Sequence, residues 1–101
     1  MRTERGKTEG DIELSDELVL HGMLVGNLTV TATGVLRLHG MCTGSVFVEP
    51  GGRAQLLGMV VKDVVNRGGQ VEVTGMVNGT VRDEGGHTLV RPGAVVGGVR
   101  Q

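Results

Sequence analysis

The stretch Val73-Thr-Gly-Met-Val-Asn-Gly-Thr-Val81 decides the fold, because its pattern recurs through most of the chain. Gly75 opens the order Gly, any residue, apolar, any residue, Gly, any residue, apolar. The same order begins at Gly22 (Gly22-Met-Leu-Val-Gly-Asn-Leu28), Gly40 (Gly40-Met-Cys-Thr-Gly-Ser-Val46), Gly58 (Gly58-Met-Val-Val-Lys-Asp-Val64) and Gly93 (Gly93-Ala-Val-Val-Gly-Gly-Val99). Only Lys62 departs from the second glycine. The opening glycines lie 18, 18, 17 and 18 residues apart, and a second series, Gly34, Gly52, Gly69 and Gly86, follows them by 11 or 12.

An apolar spacing of two excludes helices and requires strands, and glycine at this density would dissolve a helix. Short alternating segments separated by glycines are short strands joined by tight corners. A period of 17–18 residues is too short for a propeller blade and fits one solenoid coil with three short sides. The expectation is an all-β, single-stranded, three-sided parallel β-helix of about five coils. At about 4.8 Å per coil, five coils stand about 24 Å tall.

Alternation within each coil defines four inward columns: Leu18, Leu36, Ala54, Val71; Leu20, Leu38, Leu56, Val73; Leu24, Cys42, Val60, Val77, Val95; and Leu28, Val46, Val64, Val81, Val99. Residues 10–101 form the expected solenoid domain, with Gly10–Leu14 as a degenerate half-coil. Residues 1–9, polar and without pattern, are expected to be a flexible tail. Thr88–Pro92 holds one residue more than its counterpart, so a bulge is expected there.

Composition limits function. The chain has 101 residues, a formal net charge of −1 and one aromatic residue, Phe47. There is no global field for nucleic acid or an anionic membrane, so no nucleic-acid partner is expected. No run reaches membrane-span length and no signal-peptide pattern opens the chain, so the expected location is cytoplasmic. The N-terminal stretch has no apolar anchor, and membrane association is expected to be peripheral at most. Asn27-Leu-Thr and Asn78-Gly-Thr match glycosylation acceptors, which mean little without a secretory signal.

Candidate chemistry is sparse. His21 and His39 precede equivalent glycines and should stack, but the column continues as Leu57, Thr74 and Pro92, which leaves a zinc site short of a third ligand. Cys42 reads as a small buried apolar residue. No nucleophile–base set appears, and no glycine-rich loop precedes a helix. Hexapeptide acyltransferases share the coil length, but their aliphatic residue before each small residue is missing: His, Thr, His and Gly precede Gly22, Gly34, Gly40 and Gly52. The expectation is no enzyme, no cofactor and no metal.

The outer face is more informative. Met23, Met41, Met59, Met76 and Ala94 form one outward column, and Val25, Thr43, Val61, Asn78 and Val96 the next. This strand is apolar on both faces, and contiguous exposed apolar surface marks a contact site. Phe47, beside Thr29 and Val65, should also point outward. The expected partner-contact residues are Met23, Met41, Met59, Met76, Val25, Val61 and Phe47. Uncapped strand edges at the ends offer a second route to association.

The five repeat copies, covering roughly residues 10–101, resemble the bactofilins, polymer-forming bacterial cytoskeletal proteins. That resemblance implies a right-handed coil and filaments that form without nucleotide by end-to-end stacking, often with disordered tails that reach the membrane. The leading expectation is a structural protein that associates with itself through its solenoid ends, as a filament or homo-oligomer, with the Met23–Met76 column as a lateral contact. The alternative is a protein-binding module, of inhibitor or immunity type, that covers another protein with the same face. A weaker third reading is an inactive relative of the hexapeptide enzymes.

Overall fold

A computed structural model describes residues 2–100 and is all-β. Its strands are β1 (Arg2–Glu4), β2 (Lys7–Glu9), β3 (Ile12–Leu14), β4 (Glu17–Leu20), β5 (Met23–Val25), β6 (Leu28–Val30), β7 (Val35–Leu38), β8 (Met41–Cys42), β9 (Val46–Val48), β10 (Arg53–Leu56), β11 (Met59–Val60), β12 (Val64–Val73), β13 (Met76–Val90) and β14 (Val95–Arg100). Every pairing is parallel. The ladders make three sides. Side one runs β1-β4-β7-β10-β12-β13, side two β2-β5-β8-β11-β13-β14, and side three β3-β6-β9-β12-β13-β14. Five turns separate Arg2 from Thr88 on side one, through Leu18, Leu36, Ala54 and Val71. The molecule is a β-solenoid.

The first, second and fourth columns run as expected, and their side chains from Leu18 to Val81 are buried. A fifth column, Leu14-Val30-Val48-Asn66-Asp83, completes the core on side three. Such a core is one apolar layer repeated, so each coil depends on its neighbours for burial.

The ladder extends further toward the N-terminus than expected. Arg2–Glu4 pairs with Leu18–Leu20 and Lys7–Glu9 with Met23–Val25, so residues 2–9 belong to a complete first coil of 16 residues, not to a tail, and the solenoid does not start at residue 10. Met1, Gln101 and the side chains of the outermost rungs lie outside the described residues. The register places Arg2 and Glu4 in the columns that Leu18 and Leu20 occupy one coil on.

The last coil is corrected by one residue. Met76 pairs with Val95 and Val77 with Val96. Val95 therefore continues the methionine column in place of Ala94, and Val96 takes the inward position expected of Val95. No bulge falls in Thr88–Val90, which stays in register with Val71–Val73. The surplus residues form a turn, with the Ala94 N–H donating to the Arg91 carbonyl at 3.1 Å and Gly93 at φ 92°. A register shift between Val77 and Thr80 restores the Val81–Val99 pair.

Side one meets side two at a corner built on glycine. A Cβ at Gly40 would collide with the carbonyl oxygen of Gly22; Gly58 stands the same way over Gly40, and Gly75 over Gly58. The N–H of Met41 donates to the Gly22 carbonyl at 3.0 Å, and Met59 and Met76 bond to Gly40 and Gly58 at 2.9 Å. The coils pass too closely here for any side chain, which is the reason for the repeat's opening residue. At Gly85, by contrast, an added Cβ finds its nearest neighbour at 3.6 Å. Gly40→Ala should lower stability in urea denaturation by about 3 kcal/mol or more, while Gly85→Ala changes it by less than about 1 kcal/mol.

Candidate interaction surface

Side two is narrow, two or three residues to a strand, and alternation puts one residue in and its neighbours out. Its inward column, Leu24, Cys42, Val60 and Val77, is buried. Met23, Met41, Met59, Met76 and Val95 stand in register outside it. Met23 and Met76 are 37% and 38% exposed and Val95 57%, while Met41 and Met59 are half-buried by their neighbours above and below. Val25 and Val61 flank the methionines two residues on, each half-buried. Six of the seven expected contact residues thus share one side. The strand segments of this side carry charge only at the first rung, where Lys7 and Glu9 pair at 3.1 Å.

The glycine corner leaves a shallow, open depression beside the methionine column, lined by Gly22, Gly40, Gly58 and Gly75 together with His39 and Leu57. The backbone N–H groups of Met41, Met59 and Met76 beside that floor are already bonded between coils. The depression therefore offers apolar contact but no strand edge.

Phe47 does not join this surface. It lies on side three, between Thr29 and Val65 as expected, and is half-buried. The Arg67 guanidinium covers its ring at 5.1 Å from the centroid, held there by Glu49 at 3.3 Å. This cation–π contact shields the ring. Sequence spacing places Phe47 outward but cannot show that a residue from the next coil folds over it.

His21 and His39 stack, with ring centroids 4.8 Å apart and planes 14° from parallel, both exposed beside the depression. Cys42 is buried, its Sγ 3.4 Å from the Gly26 carbonyl oxygen. Burial pushes its thiol pKa up, and a backbone hydrogen bond from Gly44 opposes this only in part. The thiol stays protonated through neutral pH, which makes it a poor nucleophile.

Two polar arrangements were not anticipated from the sequence. At the corner between sides two and three, one side chain per coil accepts the N–H of its equivalent in the next. Asn27 N–H donates to Asp11 Oδ1 at 3.0 Å, Ser45 N–H to Asn27 Oδ1 at 2.9 Å, Asp63 N–H to Ser45 Oγ at 3.3 Å, and Thr80 N–H to Asp63 Oδ1 at 2.7 Å. The signal was present: a small polar residue precedes Leu28, Val46, Val64 and Val81 of the fourth column. The second is Asn66, fully buried in the column that Leu14, Val30 and Val48 fill before it and Asp83 continues. Its Oδ1 accepts from the N–H groups of Gly68 (3.1 Å) and Gly69 (2.8 Å). Its Nδ2 donates to the carbonyls of Gly69 and His87 and to Thr88 Oγ1. Val48 is followed by a turn in which Gly52 N–H bonds Glu49; after Asn66 the corner is one residue shorter, and the amide supplies the missing backbone partners.

No helix long and apolar enough to cross a membrane occurs among the described residues. Comparison with protein-family models, with curated proteins and with solved structures returned no match for this chain.

Two outcomes follow from these environments. Asn66→Val should cost about 3 kcal/mol in urea denaturation despite its good fit to the column, because it strands buried N–H groups and carbonyls. Cys42 should react with Ellman's reagent about 100-fold more slowly in the native protein than in denaturant, at equal pH.

Proposed function

We propose that the chain is a non-enzymatic structural protein of the cytoplasm that associates with copies of itself, into filaments or small oligomers, without nucleotide. The observation that carries this reading is the ladder of side two. Its methionine column is apolar from Met23 to Val95, beyond the charged first rung, and its side chains repeat with the coil spacing. A surface with that period is matched rung for rung by another solenoid of the same period, and a second copy supplies one. The resemblance to bactofilins points the same way.

A protein-binding module using the same ladder is the second reading, favoured by the shallow open depression beside the methionines, along which an apolar segment of another protein could lie.

The test is negative-stain electron microscopy with sedimentation velocity across a concentration series of the untagged protein. Filaments or discrete oligomers are expected, and Met41→Lys/Met59→Lys should dissolve them while leaving the far-ultraviolet circular dichroism unchanged. A monomer at every concentration would overturn self-association and favour the binding module.

A further inference from the structure

The segment that forms side two is nearly a palindrome. Gly22-Met-Leu-Val-Gly26, Gly40-Met-Cys-Thr-Gly44 and Gly75-Met-Val-Asn-Gly79 each place glycine, outward residue, inward residue, outward residue, glycine. The two outward columns stand side by side over one buried column, and glycine flanks both, apart from Lys62 and Ala94. A two-fold axis parallel to the solenoid axis, above the column Leu24-Cys42-Val60-Val77, would lay this side on a second copy with the outward columns exchanged and every rung at its own height. Met23 would meet Val25 of the second copy, Met41 would meet Thr43, and Met59 would meet Val61.

Charge decides between this arrangement and its rival. Lys7 and Glu9 are the outward residues of the first rung, in register with Met23 and Val25. Their side chains are 61% and 70% exposed. With the axis along the solenoid, the exchange brings Lys7 of each copy to Glu9 of the other, twice per dimer. With the axis across the solenoid, the coil order is reversed, and the same charged rung falls on the Val95 end, where the strand carries no charge between Val95 and Gly98. Lys7 and Glu9 already pair with each other within one copy at 3.1 Å; the first arrangement adds two opposite-charge contacts across the interface, whereas the second sets this ion pair against apolar groups, where it loses hydration with no new partner.

We infer that side two is a two-fold interface between copies of this chain, with solenoid axes parallel and register set by Lys7 of one copy against Glu9 of the other. This rests on the self-association proposed above and specifies its geometry. The interface is isologous, so it closes as a dimer and leaves the solenoid ends of both copies level. One side of a molecule measuring 32 × 25 × 21 Å offers at most about 800 Å2, the area each partner contributes to a standard interface. Association is therefore expected to depend on concentration over an accessible range.

Sedimentation velocity on four proteins tests the arrangement: wild type, Lys7→Glu, Glu9→Lys and the double variant Lys7→Glu/Glu9→Lys. Each single change sets like charges opposite each other twice per dimer and should raise the dissociation midpoint about tenfold at low salt, less at high salt. The double variant has the net charge of the wild type, restores both pairs and should return to within about threefold of it. An equimolar mixture of the two single variants should associate better than either alone. If the wild type associates but the single variants match it, or the double variant stays as weak as Lys7→Glu, the parallel two-fold geometry is overturned and self-association stands. If the wild type is monomeric throughout, both fall together.

Discussion

Backbone meets backbone at the corner where Gly22, Gly40, Gly58 and Gly75 stand over one another, too closely to admit a Cβ at Gly40, Gly58 or Gly75. The carbonyls of Gly22, Gly40 and Gly58 accept from the N–H groups of Met41, Met59 and Met76, and that of Gly75 from the Val95 N–H, so closely that no side chain could stand between them. That contact sets the coil spacing and puts the following strand in register, which makes the apolar columns columns. The N–H of Asn27 on Asp11, and its successors at the next corner, repeat the same device with a side chain as acceptor. The fold is held by a continuous parallel ladder, with a thin core of Leu and Val filling its axis.

A core of this kind tolerates irregularity only where hydrogen bonds replace what packing loses. The shortened corner after Asn66 shows how. A buried amide in an apolar column would ordinarily be costly, yet here each of its polar atoms has a partner, and its five hydrogen bonds include two that order the Gly68–Gly69 turn. The last coil takes the other route, placing its surplus residues in a solvent-exposed turn at Arg91–Ala94 and correcting the register with a bulge.

The same economy of core leaves the apolar ladder of side two on the outside. Side two has only one inward residue per rung, so its outward residues would be polar on an isolated solenoid, and they are methionine and valine instead. Stability within one copy gives no reason for that choice, since the inward column is already sealed. Contact with another surface does, and the interval between rungs favours a partner with the same interval. Phe47, which composition alone singles out, has a local explanation: it is roofed by Arg67 and belongs to the packing of side three.

Period-two alternation, glycine at the corners and an interval near 18 residues were enough to determine strands, coils, four core columns and the apolar ladder, because a solenoid repeats one local rule and each coil obeys it almost independently. The first coil escaped that reading because Arg2, Glu4 and Thr8 replace the apolar residues that mark the others, while its backbone pairs regardless of side chain. The exchange of Val95 for Ala94 in the ladder, the roof over Phe47 and the bonds of Asn66 were decided by the tertiary structure alone. Each depends on where the chain spends an extra or a missing residue, and a spacing count cannot place that residue. Only the hydrogen bonds between neighbouring coils can.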